Sequence, residues 1–253
     1  LQHAEAVRVA DLAKTLMVSE MTVRRDIEAL EERQQLRRVH GGAVRLPSFS
    51  GEEPGFARNA GVELSAKRAI AAAALALVRP GMTVGLTGGT TTFQLAERLH
   101  EVAALTVVTN SLKAAEVLYR RSGPGSRVVV TGGERTPSEA LVGPVTEGAL
   151  ARLNVDVCFM GIHGIDPVRG LTSPNTVEAQ TNAAFITAAA RFVVLADHSK
   201  FNVVSLAQVA PLAALDTLIT DDGIGADIAA RIRAVVPDLR IAARTGTTEK
   251  DES

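Results

Sequence analysis

The chain has 253 residues, and its 27 Lys and Arg nearly balance its 28 Asp and Glu, which gives a formal net charge of −1 at pH 7. This length accommodates a small module and one larger domain with a substantial core, and the charge excludes a simple polycation. Aromatic residues make up 3% of the chain and Trp is absent, so we expect no base-stacking platform for single-stranded nucleic acid.

The cysteine content and the hydropathy pattern bear on the compartment. Cys158 is the only cysteine, which excludes an intrachain disulfide and agrees with a reducing cytoplasm. The longest apolar run, at 69–78, has about half the length that a membrane span requires, and no signal-peptide pattern opens the chain. We therefore expect a cytoplasmic protein with no membrane partner.

Two short amphipathic helices joined by a tight link are predicted near the start of the chain. The first has apolar residues at positions 9, 12, 13 and 16, and the second has Val23, Ile27 and Leu30 on one face. Ser19 is a good N-cap for the second helix, and Met17-Val18 is the link. This arrangement is typical of a helix-turn-helix.

A hairpin is predicted directly after these helices, with strands at 36–40 and 43–46. Gly41-Gly42 supplies the positive φ angles that a two-residue turn requires. The hairpin would be the wing of a winged helix-turn-helix module that spans 1–46.

Five side chains are candidates for contacts to double-stranded DNA. The start of the second helix offers Thr22, Arg24 and Arg25, and the wing offers Arg38 and His40. Side chains in the major groove read base edges, whereas contacts to the DNA backbone supply most of the affinity. An isolated arginine pair is more often a solvated helix face, but the helices, link and wing together favour DNA binding.

The rest of the chain predicts a parallel α/β domain. Residues 47–61 are rich in turn formers and lack a hydrophobic period, so they are predicted to be a linker. Strand-like runs then alternate with helical patterns over 62–245, which predicts a parallel, Rossmann-like sheet, and 246–253 is predicted to be a disordered tail. Six strands are predicted, at 83–86, 105–109, 127–130, 155–160, 192–196 and 218–220.

Three helix starts are predicted in this domain from capping signals. Ser65 is expected to cap a helix over 66–78, Ser111 to cap a later one, and Pro174 to open a long helix through Ala190.

Loops that follow the predicted strands are the candidate ligand site, because ligands of open α/β sheets bind at the carboxyl ends of the strands. Gly and small hydroxyl residues in these loops suit a phosphate. The candidates are Gly89, Thr90, Thr91, Thr92, Thr109, Asn110, Ser111, Gly132 and Gly133. One such loop is more often an ordinary turn, but three on one edge favour a ligand site. Neither a dinucleotide fingerprint nor a P-loop is present.

Titratable side chains follow the fourth and fifth strands. Lys200 is a candidate to neutralise an anionic ligand, and His163 or Asp166 to hydrogen-bond sugar hydroxyl groups. For His163, a loop or core residue is an equally good interpretation. His163 and His198 lack a matching third ligand at the usual spacing, so we expect no metal site, and we expect no cofactor.

Several segments match one protein family in order. They are VSEMTVRRDIEALE, RRVHGGA, KRAIA, GGTTT, VVTNSL, DVCFMG, GLTSPN and VLADHSKF. Over nearly its whole length the chain resembles the DeoR-type bacterial transcriptional regulators. The resemblance implies a winged helix-turn-helix followed by a sensor domain similar to ribose-5-phosphate isomerase. It also implies a homodimer or homotetramer that represses a carbohydrate-metabolism operon until a phosphorylated sugar or related metabolite binds.

The chain departs from the family pattern in three places. Only 1–5 correspond to the helix that normally precedes the helix-turn-helix, so we expect the module to be truncated. Thr87-Gly88 replaces an Asp-Ser often found before the Gly-Thr-Thr stretch, which removes an acidic group from the pocket. His163-Gly164 replaces the acidic pair of the related isomerases, and only Asp166 matches them.

Three functions compete on this sequence. A ligand-responsive repressor is the leading hypothesis. A sugar-phosphate isomerase requires a positioned carboxylate or His for acid–base chemistry, and because the acidic pair is missing we expect no catalytic residue. A metabolite sensor that no longer binds DNA is the third, and it applies only if this start of the chain is the natural one.

Overall fold

The computed structural model describes residues 6–32, 36–39, 41–45, 48–50 and 55–244. Internal contacts divide the chain into two compact units, Leu1–Ser48 and Phe49–Ser253, which we call the N-terminal unit and the C-terminal unit. The predictions for 1–5, for His40 and for the tail at 246–253 lie outside the described residues.

The N-terminal unit combines two helices with a three-stranded antiparallel sheet of order β1-β3-β2. Its elements are β1 (Ala6–Arg8), α1 (Val9–Leu16), α2 (Glu20–Glu32), β2 (Leu36–Val39) and β3 (Gly42–Arg45). Both predicted helices and the predicted hairpin are confirmed. The sequence did not predict β1, because three residues are too few to show an alternating pattern.

Local signals account for the start of α2 and its packing. Ser19 caps α2 as predicted, since its Oγ accepts a hydrogen bond from the backbone N–H of Thr22 at 3.1 Å. Met17 adopts left-handed backbone with a φ of 54°, which turns the chain sharply after α1. A small buried core holds α2 against the hairpin and consists of Val9, Val23, Ile27, Leu36 and Ala43.

The turn of the wing differs from the prediction at Gly42. Gly41 has a φ of +80°, as a tight turn requires. Gly42, however, begins β3, where it pairs with Val39 on one side and with Arg8 on the other. A Cβ at position 42 would collide with the backbone carbonyl of Val7. The second glycine therefore serves the close pairing of β1 with β3 and not the turn.

The C-terminal unit is an α/β domain around a seven-stranded sheet. A short strand at the division between the units is β4 (Ser48–Ser50). The elements that follow are α3 (Phe56–Ala60), α4 (Leu64–Leu75), β5 (Thr83–Leu86), α5 (Thr90–Ala96), β6 (Thr106–Thr109), α6 (Leu112–Arg121), β7 (Arg127–Val130), β8 (Glu134–Arg135), β9 (Leu141–Val142), α7 (Pro144–Leu150), β10 (Val157–Gly161), β11 (Gly164–Asp166), β12 (Gly170–Ser173), α8 (Thr176–Ala188), β13 (Phe192–Leu195), β14 (Val203–Ser205), β15 (Ala207–Ala210), β16 (Thr217–Asp221), α9 (Ala226–Arg233) and β17 (Asp238–Ala242).

The large sheet is parallel and has the order β17-β16-β13-β10-β5-β6-β7. All six predicted strands are confirmed with small shifts at their ends. The edge strand β17 was not predicted, because Asp238 and Arg240 interrupt its apolar pattern. Successive residues of β10 face opposite sides of the sheet: Val157 and Phe159 pack into one core, and Cys158 and Met160 pack into the other.

Two predicted helix starts differ from the observed ones. α4 begins at Leu64, after Glu63 in left-handed backbone, and not after Ser65. α8 begins at Thr176, because the side chain of Asn175 accepts hydrogen bonds from the N–H groups of Val177 and Glu178. Ser111 caps α6 as predicted.

Ordered structure also occurs within the predicted linker, which contains β4 and α3. Among the described helices, none combines the length and the apolar character needed to cross a membrane.

Candidate functional site

A cleft in the C-terminal unit lies beyond the carboxyl ends of β5, β10 and β13. Five of the predicted ligand residues line it, namely Gly89, Thr90, Thr91, His163 and Lys200. The remaining lining residues are Phe56, Asn59, Gly88, Ser138, Gly161, Ile162, Ser173, Pro174, Glu178 and Asn182. The position agrees with the rule that open α/β sheets bind ligands at this edge.

The loop between β5 and α5 presents backbone donors to the cleft. Gly89 has a φ of +147°, a conformation that favours glycine, and its carbonyl accepts a hydrogen bond from Thr92 Oγ1 at 3.0 Å. The first N–H groups of a helix have no partner within it. Within the described residues, those of Thr90 and Thr91 donate to no other backbone carbonyl. They are therefore available to an anionic or hydroxyl-bearing ligand.

Asn110 supports this loop from behind and does not line the cleft. Its side chain is fully buried, its Oδ1 accepts from the backbone N–H of Gly88 at 2.9 Å, and its Nδ2 donates to the carbonyl of Leu141 at 2.8 Å. The amide thus ties the loop after β5 to β9. Both ends of this buried amide therefore have a protein partner, as is usual for buried polar groups.

Three further hydroxyl residues form internal hydrogen bonds and lie outside the cleft lining. Thr92 Oγ1 donates to Gly89, and Thr109 Oγ1 donates to the carbonyl of Leu86 at 2.7 Å. Ser111 Oγ accepts from the N–H of Ala114 at 3.1 Å, as a helix cap. These hydroxyl groups therefore stabilise the loops that were predicted to form the ligand site, and neighbouring residues line the cleft.

The Gly132-Gly133 loop and Asp166 also lie outside the cleft lining. The carbonyl of Gly132 accepts from Thr146 Oγ1 at 2.5 Å, and a Cβ on Gly133 would collide with that hydroxyl group. Asp166 Oδ1 accepts from the N–H groups of Val168 and Arg169 at 2.8 and 2.7 Å, which closes the turn between β11 and β12. The structure does not bring these residues together with Lys200.

Lys200 reaches the cleft from a short 3₁₀ turn, His198–Lys200, that follows β13. The buried carboxylate of Asp197 accepts from the N–H of Ser199 at 3.0 Å and so fixes the turn. His198 faces elsewhere, with its Nδ1 2.8 Å from Asp221 Oδ2. Among the described residues, no group of three or more His, Cys, Asp or Glu is placed to hold a metal ion.

Lys67 on α4 is a buried cation that the sequence analysis did not single out. It is 2% exposed, and its Nζ donates to the carbonyls of Asn59 at 2.6 Å and Val62 at 2.5 Å. Burial lowers the pKa of this ammonium group, which the nearby Asp197 carboxylate partly opposes. The signal was present in the sequence, since Lys67 shares the apolar face of its helix with Ile70, Ala71 and Ala74.

Two helices supply cleft residues that sequence reasoning missed. Phe56 and Asn59 belong to α3, inside the predicted linker, and the ring of Phe56 meets that of Phe93 edge to face at 5.5 Å. Glu178 and Asn182 lie on α8, which follows β12 and not a strand of the seven-stranded sheet. The prediction used only residues that follow strands, so it could not identify side chains that a helix contributes to the cleft.

The predicted DNA-contacting side chains lie on the surface of the N-terminal unit. Thr22, Arg24 and Arg25 are exposed on the first turns of α2. Arg24 pairs with Glu20 at 3.4 Å, and Arg38 of the wing pairs with Glu28 at 2.6 Å. His40, the fifth candidate, lies outside the described residues.

Comparison with known protein families matches both units. A model described as "DeoR C terminal sensor domain" matches residues 62–222, and one described as "DeoR-like helix-turn-helix domain" matches residues 1–49.

Similar curated proteins include three bacterial or archaeal regulators. The chain is 37% identical to the HTH-type transcriptional regulator GlpR of Haloferax volcanii, over 87% of this chain and 85% of that protein. It is 34% identical to the transcriptional repressor AccR of Agrobacterium fabrum, over 88% and 86%. It is 32% identical to the lactose phosphotransferase system repressor of Staphylococcus epidermidis, over 86% of each.

Among solved structures, ribose 5-phosphate isomerase A of Methanocaldococcus jannaschii overlaps 53% of this chain and 53% of that one, with 21% identity and a TM-score of 0.39. The beta subunit of eIF2B from Chaetomium thermophilum overlaps 61% and 50%, with 14% identity and a TM-score of 0.43. Overlaps of this extent carry no argument about activity.

Proposed function

Since the chain belongs to the DeoR family of transcriptional regulators, we propose that it is a DNA-binding repressor of a carbohydrate-metabolism operon, controlled by a phosphorylated sugar or related metabolite. The observation that carries this proposal is the combination of a winged helix-turn-helix with a cleft that presents backbone amides, hydroxyl groups and Lys200. The proposal places the protein with its operator in the cytoplasm.

In the N-terminal unit, we assign the DNA contacts to Thr22, Arg24 and Arg25 on α2 and to Arg38 and His40 on the wing. The ion pairs of Arg24 and Arg38 are half exposed. Such pairs contribute only about 0–1 kcal/mol, so a DNA phosphate can replace the glutamate as partner. A double-stranded operator would then receive α2 in its major groove and the wing along its backbone.

In the C-terminal unit, we assign phosphate binding to Lys200 and to the loop at Gly89, Thr90 and Thr91. An ammonium group, backbone N–H groups and threonine hydroxyl groups are all donors, which suits an anion. His163 also lines this cleft and is assigned to the sugar part. The hydrogen bonds of Thr109, Asn110, Ser111 and Asp166 support a positioning role for these residues.

Control of DNA binding requires that the effector favour one arrangement of the protein over another. A coupling free energy of about 1–3 kcal/mol would change operator affinity roughly 5- to 150-fold. We propose that the responding species is a homodimer or homotetramer, in which two helix-turn-helix modules bind two half-sites.

The test uses the full chain and a duplex that it selects from a random pool. Binding is measured by fluorescence anisotropy with and without a panel of sugar phosphates. We expect selection of a defined duplex and at least a fivefold loss of affinity with one metabolite. Failure of the whole panel to weaken binding would contradict the sensor half. Binding of a sugar phosphate with no duplex selected would favour a metabolite sensor that does not bind DNA.

A sugar-phosphate isomerase is the alternative, and the position of Asp166 does not favour it. Its carboxylate closes the turn between β11 and β12, away from the cleft lining, so it is not placed to exchange a proton with a bound sugar. We therefore propose that the chain is not an enzyme. Ketose–aldose exchange by the purified chain that disappears in His163→Gln or Glu178→Gln would overturn this.

A further inference from the structure

One wall of the cleft carries a carboxylate and an amide from the same helix face. Glu178 and Asn182 of α8 are four residues apart, so their side chains project from neighbouring turns on one side of the helix. Both line the cleft. Ser138 Oγ donates to Glu178 Oε2 at 3.4 Å, which adds a hydroxyl group to the same wall.

The amide of Asn182 has unused hydrogen-bonding capacity. The residue is only 3% exposed, yet its side chain forms no hydrogen bond with another described residue. Buried side-chain amides in folded proteins are almost always satisfied. An amide offers two donors and one acceptor oxygen, and a sugar hydroxyl group, which both donates and accepts, can satisfy either side.

α8 holds this wall rigidly. The side chain of Asn175 caps the first turn by accepting from the N–H groups of Val177 and Glu178. On a neighbouring face, Thr181 Oγ1 accepts from the N–H of Gly143 at 3.0 Å, and Phe185 is fully buried in the core. A site built on a fixed helix discriminates between ligands better than one built on a loop.

From these observations we propose that Glu178 and Asn182 determine effector specificity by binding hydroxyl groups of the sugar part and by excluding effectors that carry a second anionic group there. This inference rests on the proposed function, since it takes the occupant of the cleft to be a sugar phosphate. Lys200 and the Gly89 loop bind the phosphate, and the α8 wall reads the remainder. The effector class is therefore a monophosphorylated polyol or sugar, and neither a bisphosphate nor a phosphorylated sugar acid.

The test measures dissociation constants by calorimetry for the full chain with matched probes. The monophosphates are glycerol 3-phosphate, glucose 6-phosphate and fructose 6-phosphate. Their partners with one more anionic group are 3-phosphoglycerate, 6-phosphogluconate and fructose 1,6-bisphosphate. Inorganic phosphate reports on the phosphate site alone, and Gln180→Ala, an exposed substitution on the same helix, is the control variant.

We expect the wild type to prefer one monophosphate over its more anionic partner by about tenfold or more. Asn182→Ala should raise the dissociation constant of that monophosphate about tenfold and leave the dissociation constant of inorganic phosphate within about twofold of the wild-type value. Glu178→Gln should reduce the discrimination against the partner about tenfold, because the amide keeps the size of the carboxylate and lacks its charge. Gln180→Ala should change none of these values.

Two contrary results are distinguishable. If no monophosphate binds the wild type more tightly than inorganic phosphate does, the proposed effector class is wrong, and this inference falls with it. If a monophosphate binds but its anionic partner binds equally well, the specificity role is wrong and the proposed function stands. The same conclusion follows if Asn182→Ala weakens the binding of inorganic phosphate as much as that of the sugar phosphate.

Discussion

The ammonium group of Lys67 donates a hydrogen bond to the carbonyl oxygen of Asn59 at 2.6 Å, so a buried cation on α4 holds the end of α3 against the domain. α3 supplies Phe56 and Asn59 to the cleft. The packing of one side chain in the core is thereby linked to the shape of the candidate effector site.

Replacement of Lys67 with Met should destabilise the C-terminal unit by about 1–3 kcal/mol, because the carbonyls of Asn59 and Val62 lose a charged donor. It should also weaken effector binding, since α3 is no longer held. Urea denaturation gives the free energy of unfolding. Arg68→Met, at the exposed neighbouring position, is the control and should stay within about 0.5 kcal/mol of the wild type. Equal losses in both variants would contradict the role of Lys67.

The same lysine predicts a pH dependence. Burial lowers the pKa of Lys67 in the folded state, so at alkaline pH the unfolded chain binds more protons at this position than the folded chain does. Stability therefore rises with pH between the folded-state pKa and that of an exposed lysine, about 10.4. The free energy of unfolding of the wild type should increase relative to that of Lys67→Met as the pH is raised through this window. A decrease would show that the hydrogen bonds of Lys67 and the Asp197 carboxylate outweigh the effect of burial and raise the folded-state pKa of Lys67.

Asn110→Ala should cost about 2–4 kcal/mol, because the N–H of Gly88 and the carbonyl of Leu141 each lose a buried partner worth about 1–2 kcal/mol. Affinity for inorganic phosphate should fall as well, because Gly88 and Gly89 line the cleft. Thermal unfolding and calorimetry measure the two effects. Asn154→Ala, at an exposed position, should show neither. A stable variant with unchanged phosphate affinity would show that the loop holds its shape without Asn110.

Lys200→Gln should weaken the binding of inorganic phosphate and of sugar phosphates alike, by about tenfold. The substitution removes the positive charge of Lys200 from the cleft while it keeps a polar side chain. The operator duplex should still bind, but the effector should no longer release it at concentrations that release the wild type. Lys113→Gln on α6 is the matched control. Unchanged phosphate affinity in Lys200→Gln would show that Lys200 does not bind the phosphate.

Arg25→Ala should lower affinity for the selected duplex, and the kind of loss identifies the contact. A base-edge contact costs about 1–3 kcal/mol and relaxes sequence preference at one position. A phosphate contact instead weakens all duplexes equally and reduces the salt dependence by about one unit. Arg231→Ala, exposed on α9, should leave binding unchanged. Equal duplex affinities for Arg25→Ala and Arg231→Ala would show that Arg25 does not contact the DNA.

Removal of the ion pair between Arg38 of the wing and Glu28 should increase the affinity for duplex DNA. Arg38 pairs with Glu28 at 2.6 Å, so Glu28→Gln frees the guanidinium group and removes a negative charge near the DNA. We expect tighter duplex binding at low salt and a smaller gain as salt increases. Weaker binding in Glu28→Gln would show that the pair orients Arg38 for its contact.

The elements that could be predicted from the sequence are those with a local cause. Ser19 and Ser111 cap helices because the hydroxyl group and the amide it binds are three residues apart. The strands at 83–86 and 127–130 were located to the residue because each has a short run of strand-forming residues, TVGL and RVVV, with Gly-containing turns on both sides. β1 and β17 lacked such a run, and they become strands only because a neighbouring strand offers hydrogen-bonding partners.

The candidate site was predictable in part for the same reason. Gly89, Thr90 and Lys200 were found because they directly follow strands, and strand ends converge in any parallel sheet. Asn110 carries the same signal, but its amide turns inward to Gly88, 22 residues away, and so supports the site without lining it.

The sequence by itself determined the winged helix-turn-helix, the parallel α/β sheet and the edge of that sheet where the candidate cleft lies, because periodicity, caps and strand ends are local properties. Only the tertiary structure decided which polar side chains face the cleft. α3 and α8 are far apart in the sequence, and their orientation depends on hydrogen bonds to other segments: Lys67 holds α3, and the N–H of Gly143 binds Thr181 of α8. Packing of segments far apart in the chain has no signature in any single stretch of residues.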